Sequence, residues 1–597
     1  MNKISICIAQ MDVLAGQPEK NATRFIECIH KAKQDKAQII VGSEMLVPGY
    51  IMGDVWEKPD FIQRCERANQ QIIDVALAAG LCVVFGSVKT NAEIVNEDGR
   101  QRKYNTCFII HDGTVYHRFK TLMPNYREFD DSRHFYDMRK VLFSSATLGR
   151  FEESLDRLYE PIDIDGTKFG FILCEDGWKT DYTFDVISEY ASRGAKAIIN
   201  ISCSPYTFNK NNKRNRVFGE QAKEHGIPIV YVNNIGCQNN CKSVFTFDGN
   251  SCIYDKSGNQ LNPYKPFTEG CETFSVDLDD NFGDTSFCDT ENIGDLYHAI
   301  RYGTKKMMGI FGVENVVIGA SGGIDSCLAA AIYGDILTPD KLWLINMPYK
   351  YNSKTTIGIA EELAKNIGCN YLSIPIGEQV DAMKQSMETA KHPMSSFAIE
   401  NVQARARMQV LASFTSTLPN AVFTCNANKT EATIGYCTFY GDLAGWLGNL
   451  MDLWKGDVYA MSRWYNQHIK NVIPEAAFTV KPSAELSPDQ AVDEGKGDPL
   501  NYPYHDQLFK AWVERWDRAT DADCAGWYLD GTLGEKIGYT GVYELFPTFQ
   551  AFMSDTNRWW KLFTGLSVAK RTQSPPNMVV TRRGFGFDMR ESLGVGT

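Results

Sequence analysis

Apolar residues in the first 280 positions fall into short runs separated by polar turns. AQIIVGSE (37–44), LCVVFGSV (81–88), KFGFILCE (168–175), AKAIINIS (195–202) and PIVYVNN (228–234) are strand-length and rich in Val and Ile. Residues 20–35, 62–79 and 183–194 carry apolar positions at helical spacing instead. Asp112-Gly113 and Asp165-Gly166 mark two-residue turns between flanking strands. The apolar patch in MNKISICIAQMDVLAGQPEKN is too short for a secretory leader and predicts a first buried strand. These elements predict a mixed α/β layer fold with a large central sheet.

At DDNFGDTSFCDTENI (279–293) the pattern breaks into a polar, acidic, aperiodic stretch, the expected linker between a domain at 1–278 and another at 294–597. Beyond it come a helix (296–312), NVVIGA (315–320), a Gly-rich turn, a helix (326–336), KLWLINMP (341–348) and a helix (355–368). YLSIPI (371–376), a long helix over 399–416 and NAVFTCN (420–426) complete the series. Strand and helix alternating at this spacing predict a doubly wound parallel sheet. The last hundred residues, rich in Trp and Tyr and ending in GFGFDMRESLGVGT, give no element pattern and form an extension of the second domain.

With 597 residues the chain exceeds what one core supports, in keeping with two domains. A content of 44% hydrophobic and 22% charged residues excludes a disordered or fibrous protein. The net charge of −12 is spread thinly with no Lys/Arg run, which argues against nucleic acid or an anionic membrane as partner. No apolar stretch approaches the roughly 18 residues needed to span a bilayer. Seventeen Cys without an export signal predict reduced thiols and a cytoplasmic location. Cys237 and Cys241 in CQNNC have near-zinc spacing, but no second Cys/His pair accompanies them.

Ser321-Gly322-Gly323-Ile324-Asp325-Ser326 lies between the strand ending in Gly319 and Ala320 and the following helix. Side-chain-free glycines let backbone N–H groups close on an anion, and the helix adds free N–H donors and its positive dipole end. Two hydroxyls add donors, and Asp325 can hold a magnesium ion against phosphates. The turn has no Lys, so it is not a GxxxxGK[ST] loop. Glu431 sits just past a strand end, where a second carboxylate could complete an Asp325/Glu431 magnesium site; a helix-start acid favoured by the dipole is the other reading.

SGGIDS resembles the signature of the ATP pyrophosphatases. ENVQARARMQ (400–409), NANKTE (426–431), GYCTFYGD (435–442) and KPSAELSPDQAVDE (481–494) resemble, in this order, the successive blocks of NAD synthetases. The resemblance implies that Gly319, Ala320 and the turn residues 321–326 bind ATP together with Asn426, Lys455 and Ser483. It implies that Asn401, Glu431 and Lys570 contact deamido-NAD, with Lys570 closing over the nucleotide. The chain departs from the family in having Asn426 where Thr is frequent, and Phe439 where ammonia-only members have Lys.

Making an amide requires ammonia, which is mostly protonated at neutral pH, and the first 280 residues hold candidates for releasing it. Glu44, Lys120 and Cys174 each follow an apolar strand, and strand ends on one rim are where residues distant in sequence converge. Cys174 suits a thiolate nucleophile, Glu44 a general base and acid, and Lys120 a fixed charge beside an oxyanion. SEMLVPGY, FKTLMPNYREFDDSRHF and LCEDGW resemble the three catalytic blocks of the nitrilase (carbon–nitrogen hydrolase) superfamily, whose α-β-β-α sandwich is then expected for 1–278. By that resemblance Glu128 is an additional acid orienting the Lys–Glu pair. Tyr126, Ser204 and Lys210 hold glutamine as in glutamine-dependent NAD synthetases. Gly177 stands where Leu is commoner, an exchange expected to be mild. Position 2 is Asn, and Cys174 lies between Leu173 and Glu175, so the N-terminal-nucleophile and Gly-flanked triad amidotransferases are excluded.

The two halves together resemble glutamine-dependent NAD synthetases. The resemblance implies ATP-driven, magnesium-assisted amidation of deamido-NAD with glutamine-derived ammonia moved through an internal channel. It also implies a homo-oligomer, an octamer being favoured. Two alternatives keep the same modules: an amide ligase acting on another carboxylate, and an ATP-binding regulator that releases no pyrophosphate.

Overall fold

The computed structural model describes residues 3–95, 99–261, 264–279, 291–586 and 589–592; positions 280–290 of the expected linker lie outside the described residues. Two compact units emerge. One comprises Met1–Asn240 and Phe245–Glu291, the other Asn292–Thr597 together with the short segment Cys241–Val244.

The first unit contains two six-stranded sheets. One runs in the order Gly270–Asp277, Lys3–Gln10, Ile39–Val41, Cys82–Val95, Gln101–His111, Thr114–Phe119. The other runs Gln260–Leu261, Cys252–Tyr254, Ile229–Asn233, Ala197–Ser202, Thr167–Leu173, Ile162–Ile164. Ile6, Ile8, Val41 and Val84 of one sheet pack with Phe171, Leu173, Ile199 and Val232 of the other in a single core. The alternate side chains Cys7, Ile40, Val83 and Phe85 pack with Phe25 and Ile29 of the helix Pro18–Gln34 and with Ile72 of the helix Pro59–Ala79. Ile172, Ile198 and Tyr231 face Tyr190 and Phe218 of the helices Val186–Ser192 and Lys210–His225. This is the expected α-β-β-α sandwich. Central strands are buried on both faces, which is why their sequences read as continuous apolar runs. Both Asp-Gly pairs turn hairpins, with φ of 45° and 71° at Asp112 and Gly113 and of 52° and 85° at Asp165 and Gly166.

Gly86 governs how the strand Ile39–Val41 ends. A Cβ there would lie 2.5 Å from Glu44 Cα and from Met45 N, because the chain crosses the neighbouring strand at that point. The Gly86 N–H donates to Ser43 O at 3.0 Å and pins the crossing.

In the second unit Asn370–Ser373, Leu342–Asn346, Asn315–Gly319 and Ala421–Phe423 form a four-stranded sheet in that order, all parallel. Val317 and Ile345 face Ala406 and Val410 of the helix Ser396–Thr415, which spans the predicted long helix. Their neighbours Val316 and Leu344, fully buried, point to the opposite face by strand alternation. The C-terminal region, where the sequence showed no pattern, is helical. Tyr502–Val513, Asp521–Leu529 and Phe549–Thr564 surround a core containing Tyr504, Phe509, Trp512, Phe552 and Trp559. Aromatic residues with polar tips supply that core, so the apolar stripe is blurred in sequence. Among the described residues no helix is long and apolar enough to cross a membrane.

Gly86→Ala is expected to lower unfolding free energy by about 2 kcal/mol, because its methyl meets backbone rather than a movable side chain. Urea denaturation of the two proteins checks this.

Candidate active sites

Glu44, Lys120 and Cys174 all sit at the ends of strand segments in the first unit and are all buried. Lys120 Nζ lies 2.9 Å from Glu44 Oε1 and 2.9 Å from Asp131 Oδ2, and donates to the Tyr50 hydroxyl at 3.0 Å. Tyr50 in turn donates to Asp131 Oδ1 at 2.5 Å. Glu44 is held from two further sides, by Asn105 Nδ2 at 2.7 Å and the Cys203 N–H at 3.0 Å. Burial disfavours the Lys120 charge, yet Asp131 and Glu44 raise its pKa well above the ordinary lysine value. Burial raises Glu44 above the usual carboxylate range against the pull of Lys120. Burial likewise raises the Cys174 thiol, with Glu44 adding to the effect and Lys120 opposing it. The three groups therefore act on one another electrostatically.

Cys174 has φ of +44°, the left-handed region, where the strand Thr167–Leu173 meets the short turn Cys174–Gly177. Such a conformation costs a non-Gly residue about 1–2 kcal/mol. It is fixed by Asn200 Oδ1, which accepts the Cys174 N–H at 2.9 Å, and by Asp176, whose carboxylate accepts the N–H groups of Leu173, Thr121 and Leu122 at 3.1, 2.9 and 2.8 Å. Asp176 thus ties the nucleophile's turn to the residues following Lys120. Burial pushes its pKa up to about 7, against those backbone donors.

Glu128 was expected to orient the Lys–Glu pair, but the structure gives that place to Asp131. Both Glu128 oxygens are buried and accept no hydrogen bond; Arg127 Nε lies 3.5 Å away. Only the path of the loop decides which acid of YREFDD reaches Lys120. Tyr126 donates to both oxygens of Glu175 at 3.0 Å, and Tyr182 donates to the same carboxylate at 2.9 Å. Ser204 is placed by Asn233, which accepts its N–H at 2.9 Å. Lys210 donates to Pro205 O at 3.1 Å, and among the described residues no carboxylate lies within ion-pair distance of it. Burial lowers its pKa, while Glu128 opposes the fall.

In the second unit the turn 321–326 closes on itself. Ser321 Oγ accepts the Gly323 N–H at 3.2 Å and lies 3.2 Å from Ser326 Oγ, which donates to Gly323 O at 2.9 Å. Gly322, at φ +84°, presses on the Thr356 carbonyl, 2.0 Å from where a Cβ would stand. Asn346 Nδ2 holds Ala320 O at 2.8 Å, and Asn426 Nδ2 holds Gly319 O at 3.3 Å. No side chain caps the helix Ile324–Gly334 at Gly323, which leaves its first-turn donors uncapped by side chains.

Asp325 and Glu431 share Lys455. Its ammonium pairs with Asp325 Oδ2 and lies 3.3 Å from Glu431 Oε1. Asn428 caps the helix Lys429–Ile434 by accepting the Glu431 N–H at 3.0 Å and donates to Asp325 Oδ1 at 2.9 Å. Burial pushes Glu431 up to about 7, Lys455 opposing and Asp325 adding to the rise. One buried ammonium thus serves two half-buried carboxylates. Hard oxygen donors with surplus negative charge suit a magnesium ion that completes its shell with phosphate and water oxygens. Among the described residues no group of three or more His, Cys, Asp or Glu forms a protein-built metal centre.

Three further expected residues are engaged by neighbouring groups. Ser483 donates to Gln490 O at 2.7 Å and accepts the Glu485 N–H at 3.1 Å, within its own loop. Asn401 donates to Phe397 O at 2.9 Å and accepts from Thr438 Oγ1 at 2.9 Å. Lys570 donates to Gly435 O and Cys437 O, at the end of the Glu431 helix. Asp131, Tyr50, Asp176, Glu175 and Asn428 were missed as site residues. All stand inside quoted sequence blocks, but nothing in a one-dimensional pattern says which polar neighbour turns inward.

A sequence profile of the carbon–nitrogen hydrolase family matches residues 5–282, and one of the NAD synthase family matches 296–526. The glutamine-dependent NAD(+) synthetase of Acinetobacter baylyi is 28% identical over 544 residues, covering 90% of this chain and 92% of that protein. That of Synechocystis sp. is 27% identical over 601 residues and covers 98% of both. The structure of the enzyme from Acinetobacter baumannii, solved with adenosine diphosphate, superposes with a TM-score of 0.69 at 25% identity, covering 99% of this chain and 98% of the other. The synthetase from Cytophaga hutchinsonii, at 16% identity, shares the fold with a TM-score of 0.76, covering 98% of this chain and 96% of the other. The architecture is thus a carbon–nitrogen hydrolase followed by a NAD synthase. With this pairing over nearly its whole length, the chain is similar to the glutamine-dependent NAD(+) synthetases.

The Leu-to-Gly exchange at 177 is not neutral in this fold, because the Phe218 ring fills the space: a Cβ on Gly177 would lie 2.4 Å from Phe218 Cε1. Gly177→Ala is expected to cost about 1–3 kcal/mol, and Phe218→Leu in the same chain to recover part of it. A double-mutant cycle of thermal unfolding measures the coupling.

Proposed function

We propose that this chain hydrolyses glutamine at Glu44–Lys120–Cys174 and uses the ammonia to convert deamido-NAD into NAD at a second site built on the turn 321–326. The observation that carries this reading is that each candidate site holds a buried lysine shared between two carboxylates. One acts on the buried Cys174 thiol, and the other stands beside a helix N-terminus that no side chain caps.

In the first site Glu44 removes the Cys174 proton as sulfur attacks the carboxamide carbon. Lys120, its charge secured by Asp131, stabilises the oxyanion. Collapse expels ammonia, which takes the proton back from Glu44, and water repeats the sequence on the thioester to release glutamate. Tyr126, Ser204 and Lys210 hold the amino acid. Lys210, with no carboxylate at ion-pair distance among the described residues, suits the substrate α-carboxylate, while the Tyr126–Glu175 pair suits the α-ammonium. Glu128, with two unsatisfied oxygens, remains to accept from the carboxamide nitrogen.

In the second site residues 319–326, Asn426, Lys455 and Ser483 bind ATP, and Asn401, Glu431 and Lys570 belong to the deamido-NAD side. Asp325 and Glu431 would hold magnesium, which neutralises phosphate charge when bound. The nicotinate carboxylate attacks the α-phosphorus, and pyrophosphate leaves into the N–H groups of the turn and helix. Lys455 balances charge on the adenylate, and ammonia displaces AMP. Ammonia that escaped would be protonated, so the reading includes its internal passage from one site to the other. It also includes a cytoplasmic homo-oligomer, an octamer favoured, whose size sedimentation would test.

Cys174→Ala is expected to abolish glutamine-driven NAD formation and leave ammonia-driven synthesis largely intact, whereas Asp325→Ala removes both. Quantifying NAD, AMP and glutamate together decides this; loss of the ammonia reaction in a folded Cys174→Ala protein refutes the two-site scheme. A second expectation follows from Glu431, whose native pKa is raised. Its ionisation destabilises the folded state as pH rises from the ordinary carboxylate range towards about 7. Glu431→Gln should therefore melt higher than the parent at pH 8, with the difference fading near pH 5, while NAD synthesis is lost.

A further inference from the structure

The helix that carries Glu431 is six residues long, Lys429–Ile434, so its two ends are separated by about 9 Å. A shift at its C-terminal end is felt at Glu431. That end is gripped by consecutive residues of the helix Leu566–Gln573: Lys570 donates to Gly435 O and Cys437 O, and Arg571 donates to Thr433 O. The grip is close. Gly435 has φ of +63°, and a Cβ on it would lie 2.4 Å from Ser567 Oγ. Arg571 is itself fixed by Phe563 O at 2.8 Å and by Glu591.

The Leu566–Gln573 helix is capped in turn. Its last carbonyls receive the ammonium of Lys242, which donates to Arg571 O, to Thr572 O at 2.9 Å, to Ser574 O at 3.2 Å and to Ser574 Oγ at 3.0 Å. The Asn577 N–H donates to Lys242 O at 2.8 Å, so backbone and side chain of Lys242 are both engaged. Lys242 lies in Cys241–Val244, the one segment of the second unit that comes from the hydrolase part of the sequence. Four residues earlier Gln238 accepts the N–H groups of Tyr50 and Ile51, both at 2.9 Å, beside the Tyr50 hydroxyl that holds Lys120.

We propose that Lys242 is a positioning residue of the NAD-forming site, setting the Glu431 helix through the ends of two successive helices. A cationic side chain suits the task, because helix C-termini carry unsatisfied carbonyls and partial negative charge. The inference rests on the reading that Asp325 and Glu431 serve the ATP-driven step.

The test uses the full-length protein with two reactions: NAD formation from ammonium, ATP, magnesium and deamido-NAD, and glutamine hydrolysis without ATP. Lys242→Met keeps the apolar stem and removes the charge. It is expected to reduce the ammonia-driven rate by about tenfold or more, leave basal glutamine hydrolysis unchanged, and be rescued by Lys242→Arg. A Lys242→Met protein with parental ammonia-driven synthesis overturns the inference. So does one in which both reactions fall together, or in which Lys242→Arg is as impaired as Lys242→Met. Failure of the parent protein to make NAD from ammonium refutes the functional reading instead, and is seen before any variant is measured.

Discussion

A buried ammonium shared between two carboxylates is the arrangement on which both candidate sites are built. Lys120 lies between Glu44 and Asp131, and Lys455 between Asp325 and Glu431. Removing a charge from water costs several kcal/mol, and only close, hydrogen-bonded partners offset it. Each lysine is therefore locked where it is, and each carboxylate cluster carries more negative charge than one lysine neutralises. That surplus is chemically useful. In the proposed reactions, the surplus around Lys120 lets Glu44 take a proton, and that around Lys455 would hold a divalent cation.

The same logic recurs away from the reacting groups. Lys429, next in the chain to Asn428, is wholly buried between Asp452 and Glu514, each at 2.8 Å, and also donates to Thr581 Oγ1 and Arg582 O. Through Lys429, Lys570 and Arg571 the C-terminal extension grips the Glu431 helix at both ends. Backbone crowding completes the positioning: Gly86 against Glu44, Gly322 against Thr356 and the left-handed Cys174 all stand where another choice of backbone or side chain would move a functional atom.

Legibility varied with the range of the interaction. Strand ends carrying Glu44, Lys120 and Cys174 were readable because each follows an apolar run, and SGGIDS was readable because strand, turn and helix are contiguous. The C-terminal helices were not, since their core is built from Trp and Tyr whose polar tips break the pattern. The exchange at Gly177 looked mild because its consequence depends on Phe218, forty-one residues away.

The sequence by itself determined the α/β layers and the order of the two family blocks, because these rest on local periodicity and on motifs of a few adjacent positions. Tertiary structure alone decided the pairings: Asp131 rather than Glu128 on Lys120, Lys455 between Asp325 and Glu431, Lys570 on a helix end, Lys242 on another. The physical reason is that a buried charge takes whichever partner the fold delivers within about 3 Å, and that distance is set by packing between segments far apart in the chain.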